Sequence, residues 1–157
     1  SHALESGVQT TTVNAVLAVP ASSISDLSAR AHAISGFLSH PAIDQLVAAN
    51  KRLANLLNKS DRAIDKGVDE SRLVEASEKT LHGEWQAQKT QIDAAIDARD
   101  YSQAMGVLVE LAEPLDDFFE HVMVMSDQAE LQANRLALLN QMRNAFLKLG
   151  DLAQLGV

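Results

Sequence analysis

Residues 128–149 read QAELQANRLALLNQMRNAFLKL. At 100° per residue, Leu131, Leu138, Leu139, Met142, Phe146 and Leu149 fall on one stripe, and Leu136 and Leu147 form a second. A helix that is apolar on two sides belongs inside a bundle, so this segment is expected to be its central helix. Ser126 or Asp127 is placed to cap its start, and Gly150 to end it. Arg135 breaks the pattern, because it falls on the main stripe between Leu131 and Leu138. An unpaired guanidinium is very costly there, so Arg135 requires a partner. Asp116, Asp117 and Asn50 are the candidates.

Working outward, residues 116–125 (DDFFEHVMVM) join an acid pair, two adjacent aromatics and a short apolar run to the start of that helix. Upstream, the punctuation predicts helices over 10–19, ending before Pro20, and over 24–38, capped by Ser22 or Ser23. Further helices are predicted over 41–58 with Pro41 at the first position, and over 70–99 capped by Asp69. Gly83 is a weak point inside the latter. The last two run over 101–112, capped by Asp100, and from Pro114 to His121. No alternating strand pattern or internal repeat appears. The expected fold is an all-α bundle of about six or seven helices. Residues 1–9 read as a flexible lead-in and 10–157 as a single domain. Ser1-His2, with no initiator Met, reads as a cloning remnant on a fragment of a longer chain.

Composition agrees. A hydrophobic fraction of 46% with only 4% aromatics means that Ala and Leu build the interior, which suits close-packed helices. There is no cysteine, which excludes disulfides and thiolate metal sites and fits a reducing compartment. No apolar run approaches the roughly 18 residues of a membrane span, and no signal-peptide pattern opens the chain.

The net charge is −8, but it is unevenly spread. Lys51, Arg52, Lys59, Arg62 and Lys66 face only Asp61 and Asp65 between residues 51 and 66, whereas 110–120 holds five acids and no base. On the helix starting near Pro41, Ile43, Leu46, Val47, Leu53, Ala54 and Leu57 share one face, with Asn50 projecting among them. The other face carries Lys51, Arg52, Asn55, Asn58 and Lys59. Such a face suits RNA, with cations neutralising phosphate and Asn pairing with base edges of splayed nucleotides. It also fits an ordinary solvated surface. Few aromatics are free to stack on bases, which shifts stacking towards arginine.

Metal and catalytic chemistry are poorly supported. Asp117-x-x-x-His121 and Glu78-x-x-x-His82 lack the Glu-x-x-His spacing of bundle metal sites. There is no Gly-rich phosphate loop, nucleophile elbow or cysteine nucleophile. Neither a metal site nor a catalytic residue is expected.

Four segments in order carry a family likeness. They are Ala48-Ala49-Asn50-Lys51-Arg52-Leu53-Ala54-Asn55-Leu56-Leu57, Asp100-Tyr101-Ser102-Gln103-Ala104, Phe118-Phe119-Glu120-His121-Val122-Met123-Val124-Met125, and Asn134-Arg135-Leu136-Ala137-Leu138-Leu139. Together they resemble the C-terminal, DALR-type anticodon-binding domain of bacterial glycyl-tRNA synthetase beta subunits. The resemblance implies a non-catalytic helical domain gripping the anticodon loop of tRNA(Gly). It implies a cytoplasmic ligase whose aminoacylation site, using ATP and Mg, lies on a separate alpha subunit. The alpha subunit and the remaining beta-subunit domains would be its protein partners. On this reading Lys51, Arg52 and Lys59 contact phosphate, while Asn55 and Arg135 read base edges. A helical protein–protein adaptor docking its acidic segment 110–120 on a basic partner is the competing class. The matching module of an arginyl synthetase is a third, disfavoured by the double-Phe segment.

Overall fold

The computed structural model describes residues 10–17, 23–59 and 67–155. These form seven α-helices: α1 (Thr10–Leu17), α2 (Ile24–Gly36), α3 (Ile43–Lys59), α4 (Ala76–Asp97), α5 (Tyr101–Val109), α6 (Ala112–His121) and α7 (Ala129–Leu147). Single 3-10 turns lie between α3 and α4 at Glu70–Arg72 and after α7 at Leu152–Gln154, and no strand occurs among the described residues. The all-α bundle is therefore as expected. The lead-in over 1–9 and the basic residues Arg62 and Lys66 lie outside the described residues.

The two-sided apolar pattern of α7 makes it the centre. It buries every residue from Asn134 to Leu139, then Met142, Ala145 and Phe146. It packs on α3, α4 and the first 3-10 turn. The narrow stripe of α4 keeps that helix on the outside, where it buries Glu78, Leu81, His82, Trp85, Ile92 and Ala95. Trp85 also donates its indole N–H to Gln141 of α7 at 3.0 Å. Helix α3 lies on α6, α7 and the second 3-10 turn, so its buried face is wide and its opposite face is free.

Several boundaries differ from the sequence reading, each for a local reason. Asp69 caps only the 3-10 turn, accepting from the Ser71 amide at 3.0 Å. The long helix starts later, where Glu78 reaches back to accept the Glu75 amide at 3.0 Å. Gly83 sits within that continuous helix. Pro41 lies in the turn before α3, and the neighbouring His40 Nδ1 accepts the Ala42 amide at 3.0 Å. At the start of α7, Ser126 Oγ accepts the Gln128 amide at 3.2 Å, just outside the helix. Gly150 is required for close approach rather than as a left-handed terminator. A Cβ there would sit 3.1 Å from Ile34 Cδ1 and 3.2 Å from the Ala15 carbonyl oxygen.

The turn between α4 and α5 shows how two helices are joined without a loop. Arg99 adopts φ 57°, in the left-handed region. Its amide bonds to the Ile96 carbonyl at 3.0 Å, and the Asp100 amide to that of Ala95 at 2.8 Å, which is a Schellman closure. Asp100 then caps α5, accepting the Gln103 amide at 3.2 Å. The next residue, Tyr101, is buried and donates its hydroxyl to Asp26 of α2. Arg30 holds the other oxygen of Asp26 at 3.0 Å and lies over the Tyr101 ring. Burial raises the Tyr101 pKa, and the bond to Asp26 raises it further.

Two outcomes follow. Tyr101→Phe removes a donor from a carboxylate that is 4% exposed. It should cost about 1–3 kcal/mol in urea unfolding, and an unchanged midpoint would contradict the assigned bond. Arg99→Gly removes the left-handed penalty and should raise stability by roughly 1 kcal/mol, read as a higher thermal midpoint.

Candidate nucleic-acid interface

Arg135 is 5% exposed, and both of its terminal nitrogens are engaged. One terminal nitrogen donates to Glu78 Oε1 at 2.9 Å and the other to the Met123 carbonyl at 2.7 Å. Its partner is thus Glu78 of α4, and not Asp116, Asp117 or Asn50. Asp116 and Asp117 instead face a surface cleft. The expectation that Arg135 reads a base edge is corrected by the same geometry, since its donors point inward at protein acceptors. The spacing held the missed signal. Glu78 precedes Leu81 by three and Trp85 by seven, which places a carboxylate on the α4 apolar stripe.

The loop that Arg135 holds alternates in and out. Val122 and Val124 are each 6% exposed, whereas Met123 is 72% and Met125 42% exposed. Phe118 and Phe119, in the last turn of α6 before this loop, pack edge to face with centroids 5.7 Å apart. A second lock joins the connector to α7. Asn134 accepts the Asp69 amide at 2.7 Å and donates to the Asp69 carbonyl at 3.0 Å. Bonds from Ser71, and then from Arg72, hold the Asp69 carboxyl below its usual pKa.

The buried face of α3 carries Ile43, Leu46, Val47, Ala49, Asn50 and Leu53. Asn50, as expected, points among them. It donates to the Leu46 carbonyl at 3.0 Å and accepts from Arg143 at 3.4 Å, while Arg143 pairs with Asp151 at 2.7 Å. The sequence reading missed this Arg143–Asp151 pair. Opposite, Lys51, Arg52, Asn55, Asn58 and Lys59 are all exposed, so the structure gathers four of the five expected contact residues on one face. Arg52 also lies over the Phe119 ring, 4.9 Å from its centroid.

Beside this basic face lies its opposite. A cleft of about 550 Å³ is lined by Glu84, Glu110, Glu113, Asp116, Asp117 and Glu120, with Gln45 of α3 at its edge. His121 stands at the end of this acidic helix. Its bond to the Asp117 carbonyl, and then the Asp117 charge, raise its pKa above the ordinary value. No group of three or more His, Cys, Asp or Glu among the described residues is arranged to hold a metal ion. No helix among them is long and apolar enough to cross a membrane.

The sequence profile of the family described as the DALR anticodon binding domain matches residues 46–156. That range contains the basic face of α3, the Arg135 lock and the acidic cleft. This chain belongs to the DALR anticodon-binding domain family. Similar proteins named glycine–tRNA ligase beta subunit occur in Acinetobacter baumannii, 41% identical over 151 residues, and Pseudomonas aeruginosa, 40% identical over 152 residues. The matches cover 96% and 97% of this chain but 22% of each relative. A third, in Photobacterium profundum, is 41% identical over 139 residues, covering 88% of this chain and 20% of that protein. The chain thus spans about a fifth of the length of these relatives. Membership in the DALR family displaces the adaptor reading, which had no motif of its own.

Breaking the lock from one side should be severe. Arg135→Met or Glu78→Leu alone leaves an uncompensated buried charge and should cost about 3–5 kcal/mol. The double replacement should cost much less than the sum of the two. Denaturant unfolding of the four proteins measures this, and additive losses would show that the two side chains do not interact.

Proposed function

We propose that this chain is the anticodon-binding module of a glycine–tRNA ligase beta subunit. Its task is to hold the anticodon loop of tRNA(Gly) while aminoacylation, with ATP and Mg, proceeds on the alpha subunit. The cytoplasm is the compartment of such a ligase, and the alpha subunit and other beta-subunit domains are its protein partners. The observation that carries the reading is the exposed face of α3, where Lys51, Arg52, Asn55 and Lys59 line up within the family match.

Lys51 and Lys59 are assigned to phosphates, as compact charges on flexible stems. Asn55 offers both a donor and an acceptor to a base edge. Arg135 supports the site from inside, as a positioning residue that fixes the loop after α6. The acidic cleft repels phosphate, so the RNA backbone follows α3 rather than crossing α6. With a net charge of −8 on the whole chain, attraction is local and strongly salt-dependent.

The test is titration of the chain with an anticodon stem-loop of glycine tRNA at several salt concentrations, using a noncognate loop as control. Lys51→Ala and Lys59→Ala should each weaken binding and lower the salt slope by about 0.7 to 1. Affinity and slope unchanged in the double variant would overturn the assignment.

A further inference from the structure

We propose that Arg52 and Phe119 form a stacking platform for one unpaired nucleobase of the loop, a reading that rests on the RNA assignment above and gives Arg52 a role distinct from phosphate contact. The Arg52 guanidinium lies over the Phe119 ring at 4.9 Å from its centroid. Phe119 is 7% exposed and braced edge-on by Phe118, which is fully buried, so the ring is a fixed floor. Arg52 is exposed above it. The cation is therefore covered by protein on the Phe119 side and open to solvent elsewhere. RNA-binding proteins stack splayed bases on such guanidinium planes as well as on aromatic rings.

The surroundings fit a base. Ala48, one turn before Arg52, is exposed and contributes only a methyl group to that face. Asn55, one turn after, stands at the edge where a base presents its hydrogen-bonding groups. Lys59 lies two turns along the same face, in line for the following phosphate. Among the described residues, the other aromatic rings are largely closed to a base, apart from Phe37, which is partly exposed beside His40. Trp85, Tyr101, Phe118 and Phe146 are each at most 5% exposed. Arg30 makes the same kind of contact with Tyr101, but its side chain is 12% exposed and paired with Asp26. Arg72 is tied to Asp69 and Glu130.

The experiment uses the anticodon stem-loop of glycine tRNA with 2-aminopurine placed at each loop position in turn. With the wild-type chain, one position should show a fluorescence change on binding that reports stacking. Arg52→Lys keeps the charge and loses the plane. It should abolish that signal and weaken binding roughly tenfold, while leaving the salt slope intact. Circular dichroism checks that the variant, altered at an exposed position, keeps its helices. If Arg52→Lys retains both signal and affinity while Lys51→Ala and Lys59→Ala weaken binding, the platform is wrong and the RNA assignment stands. If the wild-type chain binds no loop, both fall.

Discussion

The ion pair between Arg135 and Glu78 holds together three parts of the chain that sequence alone leaves independent. Arg135 belongs to the central helix α7, Glu78 to the first turn of the outer helix α4, and the Met123 carbonyl to the loop that follows α6. Glu78 is fully buried, and the oxygen that takes Arg135 also accepts the Glu75 amide that starts α4. A shift of any one part would strand a charge away from water. Replacing such a pair by apolar groups often stabilises a protein. Its contribution here is register, because the groups involved fit only one mutual placement of α4, α7 and the loop.

That placement has consequences at the surface. With α7 fixed, α3 is packed on α6 and α7 through one broad apolar face and presents the other to solvent. Phe119 of α6 comes beneath Arg52 of α3, while the carboxylates of α6 turn into the neighbouring cleft. The domain is therefore polar in the electrical sense. A net charge of −8 conceals a cationic strip bordered by an anionic wall. A polyanion meeting this surface finds attraction along one line and repulsion beside it, which orients binding as well as strengthening it.

The bundle was legible because helical periodicity is strong in this chain. The two-sided pattern of α7 located that helix correctly at the centre. The basic face of α3 was legible for the same reason, since an amphipathic helix with Leu46, Val47 and Leu53 inside must put Lys51, Arg52 and Asn55 outside. Burial of Arg135 was also readable, and so was a carboxylate on the α4 stripe, but the pairing of the two was not. The acids nearest in the sequence are Asp127 and Glu130, whereas Glu78 lies 57 residues away, and only the packing of α4 brings it close. Local side-chain acceptors set the starts of α3 and α4. His40 and Glu75 with Glu78 shift those starts past the positions that Pro41 and Asp69 suggest. The Arg52–Phe119 contact joins two helices and leaves no trace in the spacing of either.

The central claim is that RNA is held on the exposed face of α3. Chemical-shift mapping of the isotopically labelled chain with a glycine tRNA anticodon stem-loop tests it most directly. The account predicts the largest shifts at Lys51, Arg52, Asn55 and Lys59 and in the Phe119 ring, with the Glu113–Glu120 side of the cleft little changed. Shifts concentrated in that cleft, with α3 silent, would contradict it.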